Sequence, residues 1–413
     1  SNTEPITRCL CIFLVTALIT SITKILLLQR EFHLFYQVFR HGDHTPQEFF
    51  PTDNHREVAR QQGYGQLTKL GIQQQYELGQ YMRRRYSYFL SVVYKQCEIY
   101  VQSTDCDHTL MSAQASLAGL YPPTQGEIWN PRILWQPIPV HTVPLSHDNL
   151  LYLPFSHCPR YSELLRETFE TRDFQRQFKQ YKVKYFQFWK STPIKDLAKC
   201  WKKKLISWDI NNYTLPVWAT HGVRTKLIKL SELLLQAEFG FHKRIQKSRL
   251  QGGILLKNIL KHISDARKPS HQQKMVMYSA HAATIVALQM ALNVFNGKLP
   301  PYSACHFFEL YQETNGQYTI EMYYRNNSLR GPHPLTLPGC KFRCPLERFT
   351  QLVYPVLDIK RGKLSVLGQS RWILNSIPVW YQNVKHIQAH IGILTLSLLS
   401  CLYLCIRMPN FPP

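Results

Sequence analysis

An arginine, a histidine and a glycine stand together at Arg40-His41-Gly42, followed by Asp43-His44-Thr45-Pro46. Arginine supplies a fixed cation whose planar fork matches phosphate oxygens, and glycine lets the backbone approach them closely. A neutral imidazole beside them can attack phosphorus and form a phosphohistidine, which splits one hard displacement into two. A second histidine, His281, closes the apolar run Met275–Ala280. The chain has 17 histidines, and most must be surface or satisfied core residues. What raises His41 above them is its arginine and glycine neighbours.

The elements that would position these groups alternate strand and helix. Phe32–Phe39 is apolar on both faces, as a buried parallel strand should be, and runs straight into the Arg40–Pro46 loop. A predicted helix follows, with Thr68 as N-cap and Leu70, Tyr76, Met82, Tyr86 and Phe89 among its apolar positions. Next come a short strand at Ile99–Val101, a loop at Gln102-Ser103-Thr104-Asp105 and a helix over Thr109–Leu120. Met275–Ala280 is a further strand, leading through His281 into a helix that runs to Leu292. Three strand ends, each followed by a helix, therefore present polar residues, and open α/β sheets bind ligands outside the carboxyl ends of their strands. The span 137–250 is more irregular and is predicted to be an inserted, largely helical cap.

Seven stretches resemble the histidine acid phosphatases, in the same order. Arg40–Pro46 is similar to the Arg-His-Gly-x-Arg-x-Pro signature of that family. Gly63–Thr68, Ser103-Thr104-Asp105, Thr109–Ala113, Trp135–Pro144, Arg249–Gly253 and Tyr278–His281 resemble its prostatic and lysosomal members. The similarity covers roughly Glu31–Leu357. It implies a three-layer α/β/α domain of the phosphoglycerate-mutase type over 30–357, carrying the helical cap. It implies hydrolysis of small phosphate monoesters without cofactor or metal, and allows a homodimer. In that reading His41 is the nucleophile, Arg40 holds the phosphoryl oxygens, and His281 adds a hydrogen bond or charge to them.

Three phosphate-site positions depart from the family pattern. His44 replaces the second arginine of the signature, Gln102 replaces the arginine before Ser-Thr-Asp, and Ala282 replaces the aspartate that protonates the leaving group. Nearby, His108 also stands where the family has arginine. An unperturbed imidazole titrates near pH 6.5, so His44 would be cationic in acid but lacks a bidentate fork. Gln102 donates without charge, and losing one stabiliser of transition-state charge costs ~10²–10³ in rate. Loss of the general acid costs ~10²–10⁴. The expectation is therefore a weak phosphatase. The competing expectation is a membrane-anchored pseudoenzyme that binds phosphate without turnover.

Cysteines and chain ends bear on the compartment. Cys340 and Cys344 are spaced for a small disulfide loop, and the resemblance pairs them. The resemblance also makes Cys158 and Cys305 half-cystines, but their family partners are missing here. Sequons occur at Asn212 and Asn326. Cys9–Thr23 reads as the apolar part of a signal peptide within 1–29, and 358–386 as a stalk. Ile387–Ile406 carries no Asp, Glu, Lys or Arg, so 387–407 reads as a single-pass transmembrane helix with a tail at 408–413. Together these predict the secretory pathway, with a lumenal or extracellular domain that could be lysosomal. The net charge of +23 would suit nucleic acid, and Arg172–Lys204 concentrates basic and aromatic residues, but no nucleic-acid motif accompanies it.

Overall fold

A computed structural model describes residues 30–46, 61, 63–152, 158–181 and 220–357. The first strand, β1 (Glu31–Arg40), is followed by helix α1 (Lys69–Arg85), strand β2 (Ile99–Thr104), helix α2 (Asp107–Leu120) and strand β3 (His141–Val143). Helices α3 (Pro159–Glu170), α4 (Arg172–Lys179), α5 (His221–Phe239), α6 (Arg244–Arg249) and α7 (Gly252–Ala266) come next. Then come β4 (Met275–Ala280), α8 (Ala282–Ala291), β5 (Cys305–Gln312), β6 (Tyr318–Arg325), β7 (His333–Leu335), β8 (Cys344–Pro345) and α9 (Leu346–Val353).

The sheet order is β3-β2-β4-β1-β5-β6-β7, with β8 on β6. β3, β2, β4 and β1 run parallel, while β5 and β6 continue antiparallel. β1 is apolar on both faces because both are covered. Phe35 and Phe39 point into a core with Leu78 and Met82 of α1 and Leu117 of α2. Tyr36, on the opposite face, donates to Asn258 of α7 at 3.3 Å, and Tyr278 donates to the same oxygen at 3.0 Å. The sheet is thus sandwiched between helices, as the sequence led one to expect.

Differences from the sequence reading are local. α1 starts at the Thr68 cap, whose side chain accepts from the Gly71 amide at 3.0 Å, but Leu70 is exposed and Leu78 is the buried position. Gln102, Ser103 and Thr104 belong to β2 rather than to a loop, because their backbones pair with β4 and β3. β3 falls inside the span given to the cap, yet it pairs with β2 as part of the sheet. Phe174, beside Phe178 and Tyr181, packs on Leu230, Leu233 and Leu234 of α5. The described part of the basic stretch therefore spends its aromatics on a second core.

Among the described residues no helix is long and apolar enough to cross a membrane. The expected signal segment, stalk, membrane helix and tail, and Asn212, lie outside those residues. Asn326 directly follows β6 and is exposed. Cys340 and Cys344 form a disulfide with Cα atoms 5.7 Å apart, whereas Cys158 and Cys305 are free thiols.

Candidate active site

Register brings the two motif histidines together. Arg40 of β1 lies opposite Ala280 of β4, and the His41 amide donates to the Ala280 carbonyl at 3.0 Å. His41 and His281 therefore leave neighbouring parallel strands at the same level, with ring centres 5.5 Å apart. On the far side of β4, the Thr104 hydroxyl ending β2 lies 3.0 Å from His281 Nε2.

The loop after β1 is clamped on three sides. A Cβ on Gly42 would sit 2.3 Å from the Gly71 carbonyl oxygen of α1, so only glycine allows this approach. The Gly42 amide donates to Ser112 Oγ of α2 at 3.1 Å, and Gln75 Nε2 donates to the Arg40 carbonyl at 2.9 Å. Thr45 Oγ donates to the Gly63 carbonyl at 2.6 Å and accepts from the Gln66 amide at 2.9 Å. Gly63 and Gly65 turn that segment with φ of 85° and 70°, which L side chains rarely adopt.

Four imidazoles gather in this pocket. The His41 ring centre is 4.9 Å from that of His44 and 4.5 Å from that of His108. A carbonyl can only accept, so His41 Nδ1 carries the proton it gives to the Gly42 carbonyl at 2.8 Å, and Nε2 is the basic nitrogen. His44 and His108 likewise give Nδ1–H to the Thr45 and Gly65 carbonyls, at 2.8 and 3.2 Å. Burial, reinforced by His44, His108, Arg40 and His281, pushes the His41 pKa well below the usual imidazole value. Burial thus favours the neutral form of the candidate nucleophile.

Arg40 is buried, and its Nη1 donates to the Pro300 carbonyl at 2.8 Å. Its guanidinium lies 3.9 Å from the centre of the Tyr302 ring, a cation–π contact. Burial lowers its pKa, offset by neighbours that include Tyr302 and Asp43, but arginine keeps its charge. Its Nε has no hydrogen-bond partner among the described residues.

The other expected site residues fare differently. Gln102 is buried, and its Oε1 accepts from the Tyr100 hydroxyl at 3.1 Å, which ties it to its own strand. Ala282 is the first residue of α8 and is partly buried. The pocket also contains Tyr302, which sequence reasoning missed. Tyr302 is held close by the turn at Ser303, whose amide donates to the His41 carbonyl at 3.2 Å. No local pattern near residue 302 announces that contact.

The profile of the histidine phosphatase superfamily (branch 2) matches residues 35–325, and the chain belongs to that family. It is 51% identical to the prostatic acid phosphatase of Bos taurus over 80% of this chain and 86% of the relative. It is 46% identical to the lysosomal acid phosphatase of Xenopus laevis over 79% of this chain and 77% of the relative. A solved structure of Hafnia alvei phytase in complex with tartrate covers 80% of this chain and 98% of its own at a TM-score of 0.59 and 14% identity, a likeness of fold.

Proposed function

We propose that the chain hydrolyses activated phosphate monoesters through a phosphohistidine at His41, and that it is a poor catalyst toward alkyl esters. The observation that carries this is the fixed tautomer of His41, with Nδ1–H bonded to the Gly42 carbonyl, Nε2 left as the basic nitrogen and the Arg40 cation acting on the ring. Nε2 attacks phosphorus, the ester P–O bond breaks, and the leaving oxygen departs with the bonding pair. Water then attacks the phosphoramidate, P–N breaks, and His41 Nε2 recovers its pair while phosphate leaves. Arg40 and His281 would steady the phosphoryl oxygens in both steps.

The weak point is the leaving group. Ala282 supplies no proton, so the departing oxygen must be a weak base already, as a nitrophenolate is and an alkoxide is not. The same observation supports the alternative of a phosphate-binding pseudoenzyme, should turnover be absent. His44 and Gln102 would contribute less to the phosphate cradle than the family's arginines.

Placement in the secretory pathway is supported by the Cys340–Cys344 disulfide, by exposed Asn326 and by the similarity to prostatic and lysosomal enzymes. A membrane helix at 387–407 and the cap and stalk boundaries remain part of the proposal. The test is to compare kcat/KM for nitrophenyl phosphate with that for an alkyl phosphate on the purified chain. Strong preference for the aryl ester is expected; equal rates would mean that another acid has taken over.

A further inference from the structure

Arg40 is bound at both ends by one short segment, Pro300–Ala304, which leads into β5. Its amide donates to the Ala304 carbonyl at 2.9 Å, and its Nη1 donates to the Pro300 carbonyl at 2.8 Å. From the same segment, the Tyr302 ring centre lies 3.9 Å from the guanidinium carbon. An arginine side chain has several rotatable bonds, and a site that must order them on binding loses affinity. Here they are ordered in advance.

The segment is itself stiff. Pro300 and Pro301 fix two φ angles. Ser303 sits at φ 61°, a left-handed value that a non-glycine residue holds only when its surroundings enforce it. They do: its amide donates to the His41 carbonyl at 3.2 Å, and its Oγ donates to the Gln74 carbonyl of α1 at 3.0 Å. The Ala304 amide closes the turn on the Pro301 carbonyl at 3.1 Å. Tyr302 is thus tied to the backbone of the His41 loop. Its hydroxyl is shielded from solvent, and burial pushes the phenol up to about 12 against the pull of Arg40. The ring therefore stays neutral at any working pH, with its oxygen out of a ligand's reach.

We propose that Tyr302 is a positioning residue, holding the Arg40 guanidinium in the orientation from which it binds a phosphate group. The proposal rests on the reading of this pocket as a phosphate site. Of the four positions where the resemblance places arginine (40, 44, 102 and 108), only Arg40 keeps one. One guanidinium then supplies the planar fork, and neither imidazole nor amide can replace it if it swings away.

Orthophosphate binding to the full chain is read by calorimetry, which needs no turnover. Tyr302→Leu should weaken it by roughly 10–30-fold, the scale of a desolvated cation–π contact. Tyr302→Phe keeps the ring and should stay within ~3-fold of the unmodified chain. Tyr302→Met replaces the leucine variant if circular dichroism shows that one unfolded. In an Arg40→Lys background, which keeps the charge but loses the stacking plane, Tyr302→Leu should cost less than ~3-fold. A merely structural role, or one through the His41 ring 5.8 Å away, would weaken both backgrounds alike. Full affinity in folded Tyr302→Leu, or equal loss in both backgrounds, overturns the proposal and leaves the phosphate site standing. An unmodified chain that binds no orthophosphate overturns both.

Discussion

The Thr284 hydroxyl donates its proton to the Leu151 carbonyl at 2.9 Å. Two residues earlier stands Ala282, where the resemblance places a proton donor, and Ala283 lies between them. The one hydroxyl proton of Thr284 is thus committed to the backbone. The start of α8 therefore offers the leaving group no acid from these three side chains.

Restoring that acid should change selectivity more than overall rate. Ala282 begins a helix, where a carboxylate is favoured by ~0.3–1 kcal/mol, so Ala282→Asp should fold. Its kcat/KM for alkyl phosphates should rise by ~10²-fold or more, with only a few-fold gain for nitrophenyl phosphate. Equal gains for both esters would show that the substitution acts on binding rather than on proton transfer.

The pH profile follows from His41. Burial and neighbouring positive groups hold its pKa well below 6.5, so the basic form persists as the medium is acidified. With nitrophenyl phosphate, kcat/KM should not begin to fall near pH 6.5 on the acid side. A limb at the ordinary imidazole value would mean that His41 is solvated and not the group described here.

Stability should carry the opposite signature of acid. His306 on β5 is 0% exposed, and both its ring nitrogens lack hydrogen-bond partners among the described residues. Burial first, then His333, pushes its pKa down to about 3. Below pH 6.5 the unfolded chain takes up a proton that the native His306 refuses, so native stability declines as pH falls from 6.5 toward 3. At pH 5 this is about 2 kcal/mol from His306 alone. His306→Leu should therefore gain about 2 kcal/mol at pH 5 relative to its effect at pH 7.5, read from urea unfolding. Parallel loss in both proteins would rule His306 out as the cause.

The sequence was most informative where function is written contiguously. Arg40, His41 and Gly42 share one loop, and the cap at Thr68 and the strands before His41 and His281 follow from local pattern. Contacts made by register were hidden. Thr104, His281 and His41 meet only because β2, β4 and β1 lie side by side in that order. β2 extends through Gln102, beyond the strand end the sequence suggested, and the Gln102 Oε1 accepts from the Tyr100 hydroxyl. Tyr302 reaches Arg40 across β5's entry, a contact between positions 262 residues apart that no periodicity encodes.

Covalent trapping tests the central claim most directly. The full chain is mixed with phosphorus-labelled nitrophenyl phosphate, quenched in alkali to protect the phosphoramidate, and the label is mapped by peptide mass spectrometry. One phosphoryl group should be found on His41, and His41→Ala should carry none and release no nitrophenol. Label on another residue, or nitrophenol release that survives His41→Ala, would contradict the phosphohistidine mechanism.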